Sequence, residues 1–88
     1  MINTVRKIAT KFGYHELCHQ ENIKMLSFVN GDVRINVYYS RMTIATCLKH
    51  PKKGLTQLFR RNVWEESLLS EIFRYPRKHT GMGYYKRA

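Results

Sequence analysis

The chain reads as a small α+β domain. It predicts a three- to four-stranded antiparallel sheet with an N-terminal and a C-terminal helix packed on one face, in the order α-β-β-β-(β)-α. Three observations carry this. Ile23 to Leu48 alternates apolar and polar residues with a period of two, as half-buried strands do. Asn30-Gly31 and Ser40-Arg41 divide that stretch into hairpins. Two segments with apolar residues three and four apart flank it, as amphipathic helices do.

The turns set an expected register. A type I′ turn at Asn30-Gly31 pairs Phe28 with Val33, Leu26 with Ile35 and Lys24 with Val37. A tight turn at Ser40-Arg41 pairs Tyr39 with Met42, Val37 with Ile44, Ile35 with Thr46 and Val33 with Leu48. Directly opposed residues share a face. One face therefore collects Leu26, Phe28, Val33, Ile35, Val37, Tyr39, Met42, Ile44 and Leu48, and needs a cover. The other collects Ser27, Asp32, Arg34, Asn36, Tyr38, Thr43, Ala45, Cys47 and Lys49, and is left for water or a polyanion.

The flanking elements follow in order. Residues 2–12 read as a helix, with Val5, Ile8, Ala9 and Phe12 on one stripe, Asn3 or Thr4 as cap and Gly13 as stop. Tyr14 to Gln20 reads as a connection with some extended character. His50-Pro51-Lys52-Lys53-Gly54 is a turn. Leu55 to Arg61 fits a short fourth strand or the first turn of a longer helix. Asn62 to Tyr75 is the clearest helix, with Asn62 and Glu65 at capping-box spacing and Glu65 and Glu66 in the first turn. Trp64, Leu68, Ile72 and Tyr75 form its apolar stripe, widened by Leu69 and Phe73, and Pro76 ends it. Residues 1–76 thus form one domain, and 77–88 a basic, aromatic, partly mobile tail.

Charge is the strongest functional signal. Sixteen Lys and Arg stand against six acids, for a formal net charge of +10. No acid occurs between Asp32 and Glu65, a span holding seven basic residues, and none after Glu71, where five more follow. Such a field attracts nucleic acid, an acidic protein or an anionic membrane surface. The chain has no signal-peptide pattern and no apolar run approaching about 18 residues. Two cysteines are no disulfide framework. The expectation is an intracellular protein, cytoplasmic or nuclear, not secreted, with no membrane span and no cofactor. A second copy of the chain is a further candidate partner, since a domain this small has little core to spare.

In element order and charge, this layout resembles double-stranded-RNA-binding domains and small RNA-cleaving toxins. Lys52-Lys53 stands ahead of the last helix, where the RNA-binding family carries a basic cluster. The chain lacks that family's Gly-rich lead-in and alanine-rich helix, and lacks the toxins' Gly-Ser-His motif.

The expected function is binding of RNA or DNA, mainly through phosphates. The loop Lys49, Lys52 and Lys53, with Arg60 and Arg61, would follow the backbone. Arg34 and Tyr38, on the polar face, would touch sugar or base. Arg77, Lys78, Lys86 and Arg87 in the tail would add a second contact. The last helix is too apolar and too acidic to serve as a groove-reading helix, which favours recognition of duplex shape.

Two other classes compete with this reading. One is an interaction module or inhibitor that binds an acidic protein. The other is a small ribonuclease using the imidazoles of His15, His19, His50 and His79. No catalytic residue is assigned, because nothing in the sequence fixes two imidazoles at a working separation. His15, Cys18, Cys47 and His50 have zinc-ligand spacing in two halves and form a candidate metal set, provided the two halves meet.

Overall fold

A computed structural model describes the backbone of residues 1–50, 54–76 and 85–86, and the side chains of residues 1–48 and 57–76. The chain runs α1 (Ile2–Lys11), β1 (His15–Gln20), a 3-10 turn (Glu21–Ile23), β2 (Met25–Asn30), β3 (Val33–Tyr38), β4 (Thr43–His50), β5 (Gly54–Arg60), α2 (Glu66–Arg74) and β6 (Tyr85–Lys86). All neighbouring strands are antiparallel and lie in sequence order, β1 to β6. The expected α+β architecture holds. The sheet is wider than expected, with five full strands and the two-residue β6. His15–Gln20, expected as a connection, is an edge strand. Leu55 to Arg61 resolves as strand rather than helix.

Both helices cover one face. Val5, Ile8 and Ala9 of α1 and Leu69, Ile72 and Phe73 of α2 are buried in one cluster with Leu26, Phe28, Val33, Ile35, Val37, Ile44 and Leu48. The Phe28 and Phe73 rings meet edge to face at 5.6 Å between centroids, which docks α2 on the sheet centre. Thr46 also lies on this inner face, opposite Ile35, fully buried and with no partner for its hydroxyl among the described residues.

The first hairpin departs from the expected register by two residues. Asn30 pairs Val33, Phe28 pairs Ile35 and Leu26 pairs Val37. The turn is therefore Gly31-Asp32, not Asn30-Gly31, and Lys24 lies outside the ladder. Only Gly31 of this turn has positive φ, at 62°. That is the pattern of a type II′ turn, in which glycine takes the first central position. Asn30 stays in the ladder, and its Nδ2 donates to the Phe12 carbonyl at 3.4 Å. A two-residue shift preserves the alternation, so both faces keep their expected residues. The second hairpin matches expectation, with Val37 opposite Ile44, Ile35 opposite Thr46 and Val33 opposite Leu48.

The helix ends also differ. Met1 is the N-cap of α1, and neither Asn3 nor Thr4 caps it by side chain. α2 begins at Glu66 with Glu65 as N-cap and no side-chain cap, so the Asn62–Glu65 capping box is not made. Asn62 instead takes a left-handed φ of 59°. Val63 follows it into the core, fully buried, and its N–H donates to the Met42 carbonyl at 2.9 Å. This anchor ties the segment after β5 to the β3–β4 turn and delays the helix by a turn. Trp64 consequently leaves the apolar stripe and is exposed. Among the described residues, no helix is long and apolar enough to cross a membrane.

Candidate nucleic-acid interface

The outer face of the sheet is built in cross-strand rows. One row sets Val29, Arg34, Cys47 and Gln57 side by side. The next sets Cys18, Ser27, Asn36, Ala45 and Phe59. A third sets Met25, Tyr38 and Thr43. Small residues hold the middle of this face. Ser27 and Ala45 are fully buried under their longer neighbours.

Arg34 is held by two of those neighbours. Its Nε donates to Ser27 Oγ at 2.9 Å and to Asn36 Oδ1 at 3.3 Å, and Ser27 Oγ donates to Asn36 Oδ1 at 2.7 Å. The hydrogen bonds of this network come from Nε, and the residue as a whole is exposed. Arg34 is therefore a positioned cation on an exposed face.

An open groove of about 700 Å³ lies at the corner where β3, β4 and β5 end near the second hairpin. Tyr38, Ser40, Arg41, Thr43, Phe59, Arg61 and Asn62 line it, with no acid among them. Phe59 is 52% exposed although it sits within a strand. Arg41 and Arg61 are exposed, and neither they nor Arg34 make an ion pair among the described residues. The groove thus combines two aromatic rings, two free cations and hydrogen-bonding groups.

The structure brings some expected site residues together and separates others. Arg34, Tyr38 and Arg61 lie on or beside the outer face. Arg60 is opposite Ile44, so it belongs to the inner-face register and does not join them. Lys49 stands opposite Leu55 and Lys86 opposite Thr56 in the ladder. Lys52, Lys53, Arg77, Lys78 and Arg87 lie outside the described residues. Arg41 and Phe59 were not expected in the site. Phe59 had a signal: carrying the β4 register through the His50–Gly54 turn puts Gln57 and Phe59 on the polar face.

The zinc set does not converge. Cys18 is on β1 and Cys47 on β4, with β2 and β3 between them. Three strand spacings separate them by about 14 Å, whereas two thiolates on one zinc sit within about 4 Å of each other.

A second polar cluster lies at the opposite edge, under β1. A bulge at Leu17 places Glu16 opposite Phe28 and His19 opposite Leu26, both on the inner side. Arg6 of α1 reaches both. Its Nε and terminal nitrogen donate to the Glu16 carboxylate at 2.7 and 3.2 Å, and a terminal nitrogen meets His19 Nδ1 at 3.5 Å. His19 Nε2 and Tyr39 Oη share a hydrogen bond of 2.9 Å. The hydrogen bonds from Arg6 hold the Glu16 carboxyl below its ordinary pKa. The cluster joins α1 to the edge strand.

Comparison with families of proteins, with characterised proteins and with solved structures finds no match.

Proposed function

We propose that the protein binds nucleic acid through the outer face of its sheet, with electrostatic attraction as the main source of affinity. The observation that carries this reading is the pair Arg41 and Arg61, grouped with Tyr38 and Phe59 around an open groove, with Arg34 exposed further along the same face, none of the three making an ion pair among the described residues. Cations left unpaired on one face attract a polyanion, and guanidinium groups take phosphates with two hydrogen bonds. Lys49, Lys52, Lys53 and the basic residues after Glu71, with the net charge of +10, strengthen the same field.

Affinity for oligonucleotides measured against salt concentration tests the proposal. A slope of log affinity against log salt that reports several phosphates supports it. Lys52→Ala with Lys53→Ala should lower affinity and leave the melting curve unchanged. Indifference to oligonucleotides in dilute buffer sinks the reading. Retention of one defined acidic protein at salt that strips nucleic acid would favour the interaction-module reading instead.

A further inference from the structure

We propose that the groove between Tyr38 and Phe59 is a stacking subsite for an unpaired base, so that the protein selects single-stranded nucleic acid over duplex. This deepens the proposed function and rests on it.

The argument starts from the strand positions. Tyr38 is on β3 and Phe59 on β5, and of β4 between them Thr43 lines the groove. Two strand spacings put the aromatic-bearing strands about 10 Å apart. The result is a shallow slot with an aromatic residue along each side. Phe59 has no hydrogen-bonding atom, and it stays 52% exposed while the helices take up the inner-face residues. An exposed ring on a flat sheet face offers a surface on which any base can stack.

The surroundings select the occupant. Arg41 and Arg61 border the slot and make no ion pair among the described residues. They are placed to take the phosphates on either side of a stacked base. Ser40, Thr43 and Asn62 add donors and acceptors at its rim. A duplex keeps its base faces stacked within the helix and presents only edges and backbone, so it cannot use the rings. A strand with splayed bases uses both the rings and the cations.

The test compares three polyanions of roughly 12 nucleotides, a length within the usual range of single-strand sites. They are oligothymidylate, an abasic deoxyribose-phosphate chain of equal length, and the oligothymidylate–oligoadenylate duplex. The wild-type protein should bind oligothymidylate about 5- to 100-fold more tightly than the abasic chain, as expected for one stacked base. Phe59→Ala should abolish that preference while keeping its affinity for the abasic chain, and Tyr38→Ala should reduce it. Phe59→Leu, which keeps bulk but no ring face, replaces Phe59→Ala if the alanine variant does not fold. Equal binding of the abasic chain by the wild type, or a preference surviving in Phe59→Ala, overturns the stacking subsite and leaves the broader reading standing. An acidic polyglutamate peptide bound as tightly as oligothymidylate overturns it in favour of a protein ligand. No binding of any of the three chains at low salt removes the broader reading together with the subsite.

Discussion

The Tyr14 hydroxyl donates to the Phe73 carbonyl at 2.9 Å, and the two rings meet edge to face at 5.0 Å. This contact joins the residue after the α1 stop to the last turn of α2. It satisfies a carbonyl at a helix end, where intrahelical partners run out. Burial pushes the Tyr14 hydroxyl up to about 12, so the phenol stays neutral and keeps donating. The folded pKa lies above the unfolded one. The stabilisation is therefore complete below about pH 10, and it is lost as pH rises from 10 to 12. Wild-type unfolding free energy should fall over that window by on the order of 1–2 kcal/mol. Tyr14→Phe should cost about 1 kcal/mol at neutral pH and flatten the contribution of this residue to the alkaline decline. Denaturant melts at pH 7 and across pH 9 to 12 give the comparison.

Thr46 presents the opposite case. Its hydroxyl is buried on the apolar face without a partner among the described residues. Thr46→Val removes the stranded polar atom and keeps the shape, so it should raise stability by about 1 kcal/mol. A drop in the denaturation midpoint would show that the hydroxyl is satisfied in solution.

Gly31 carries the first hairpin turn at φ 62°, and no atom lies within 4 Å of where a Cβ would stand. Gly31→Ala therefore meets backbone strain alone and should cost about 1–2 kcal/mol. Asn30→Ala should cost less, since Asn30 contributes only the 3.4 Å bond to Phe12. The reverse order in a chemical melt would restore a turn centred on Asn30-Gly31.

Val37 sits between Leu26 and Ile44 on the inner face and is fully buried. Val37→Asp puts a carboxylate there with no partner, and a loss of more than about 3 kcal/mol is expected. Circular dichroism should show no cooperative transition.

Arg34 offers a test of charge against geometry. Arg34→Ala should reduce the salt slope of oligonucleotide binding by about 1, because one phosphate contact is lost. Arg34→Lys keeps the charge and the slope but cannot repeat the fixed hold on Ser27 and Asn36, so its affinity should fall between the two. Equal slopes for wild type and Arg34→Ala would place phosphate elsewhere.

Much of the fold was legible in the residues because alternation is insensitive to a two-residue slip. Leu26, Phe28, Ile35, Val37 and Ile44 were assigned to the covered face correctly even though the first turn was misplaced. The stripe of α1 was equally plain. The start of α2 was hidden because Asn62-x-x-Glu65 has local capping chemistry, yet Val63 is drawn to Met42 by a tertiary contact that spacing does not report. β1 was hidden because His15–Gln20 is polar and carries a bulge, which breaks its period. Of the site, Arg34 and Tyr38 were readable from strand parity, and Arg61 from charge alone. Arg41 looked like a turn residue, and Phe59 needed the register of β5, which a loop of uncertain length had interrupted.

Because each of β2 to β5 lies beside its immediate predecessor, those four ladders close over brief spans of chain and cost little chain entropy. Folding can then advance hairpin by hairpin, on the quick side for a sheet protein. The exception is the union of the two chain halves at Tyr14 and Phe73. That contact spans 59 residues and closes last in such an order, so Tyr14→Phe should speed unfolding more than it slows folding, as a denaturant chevron would show.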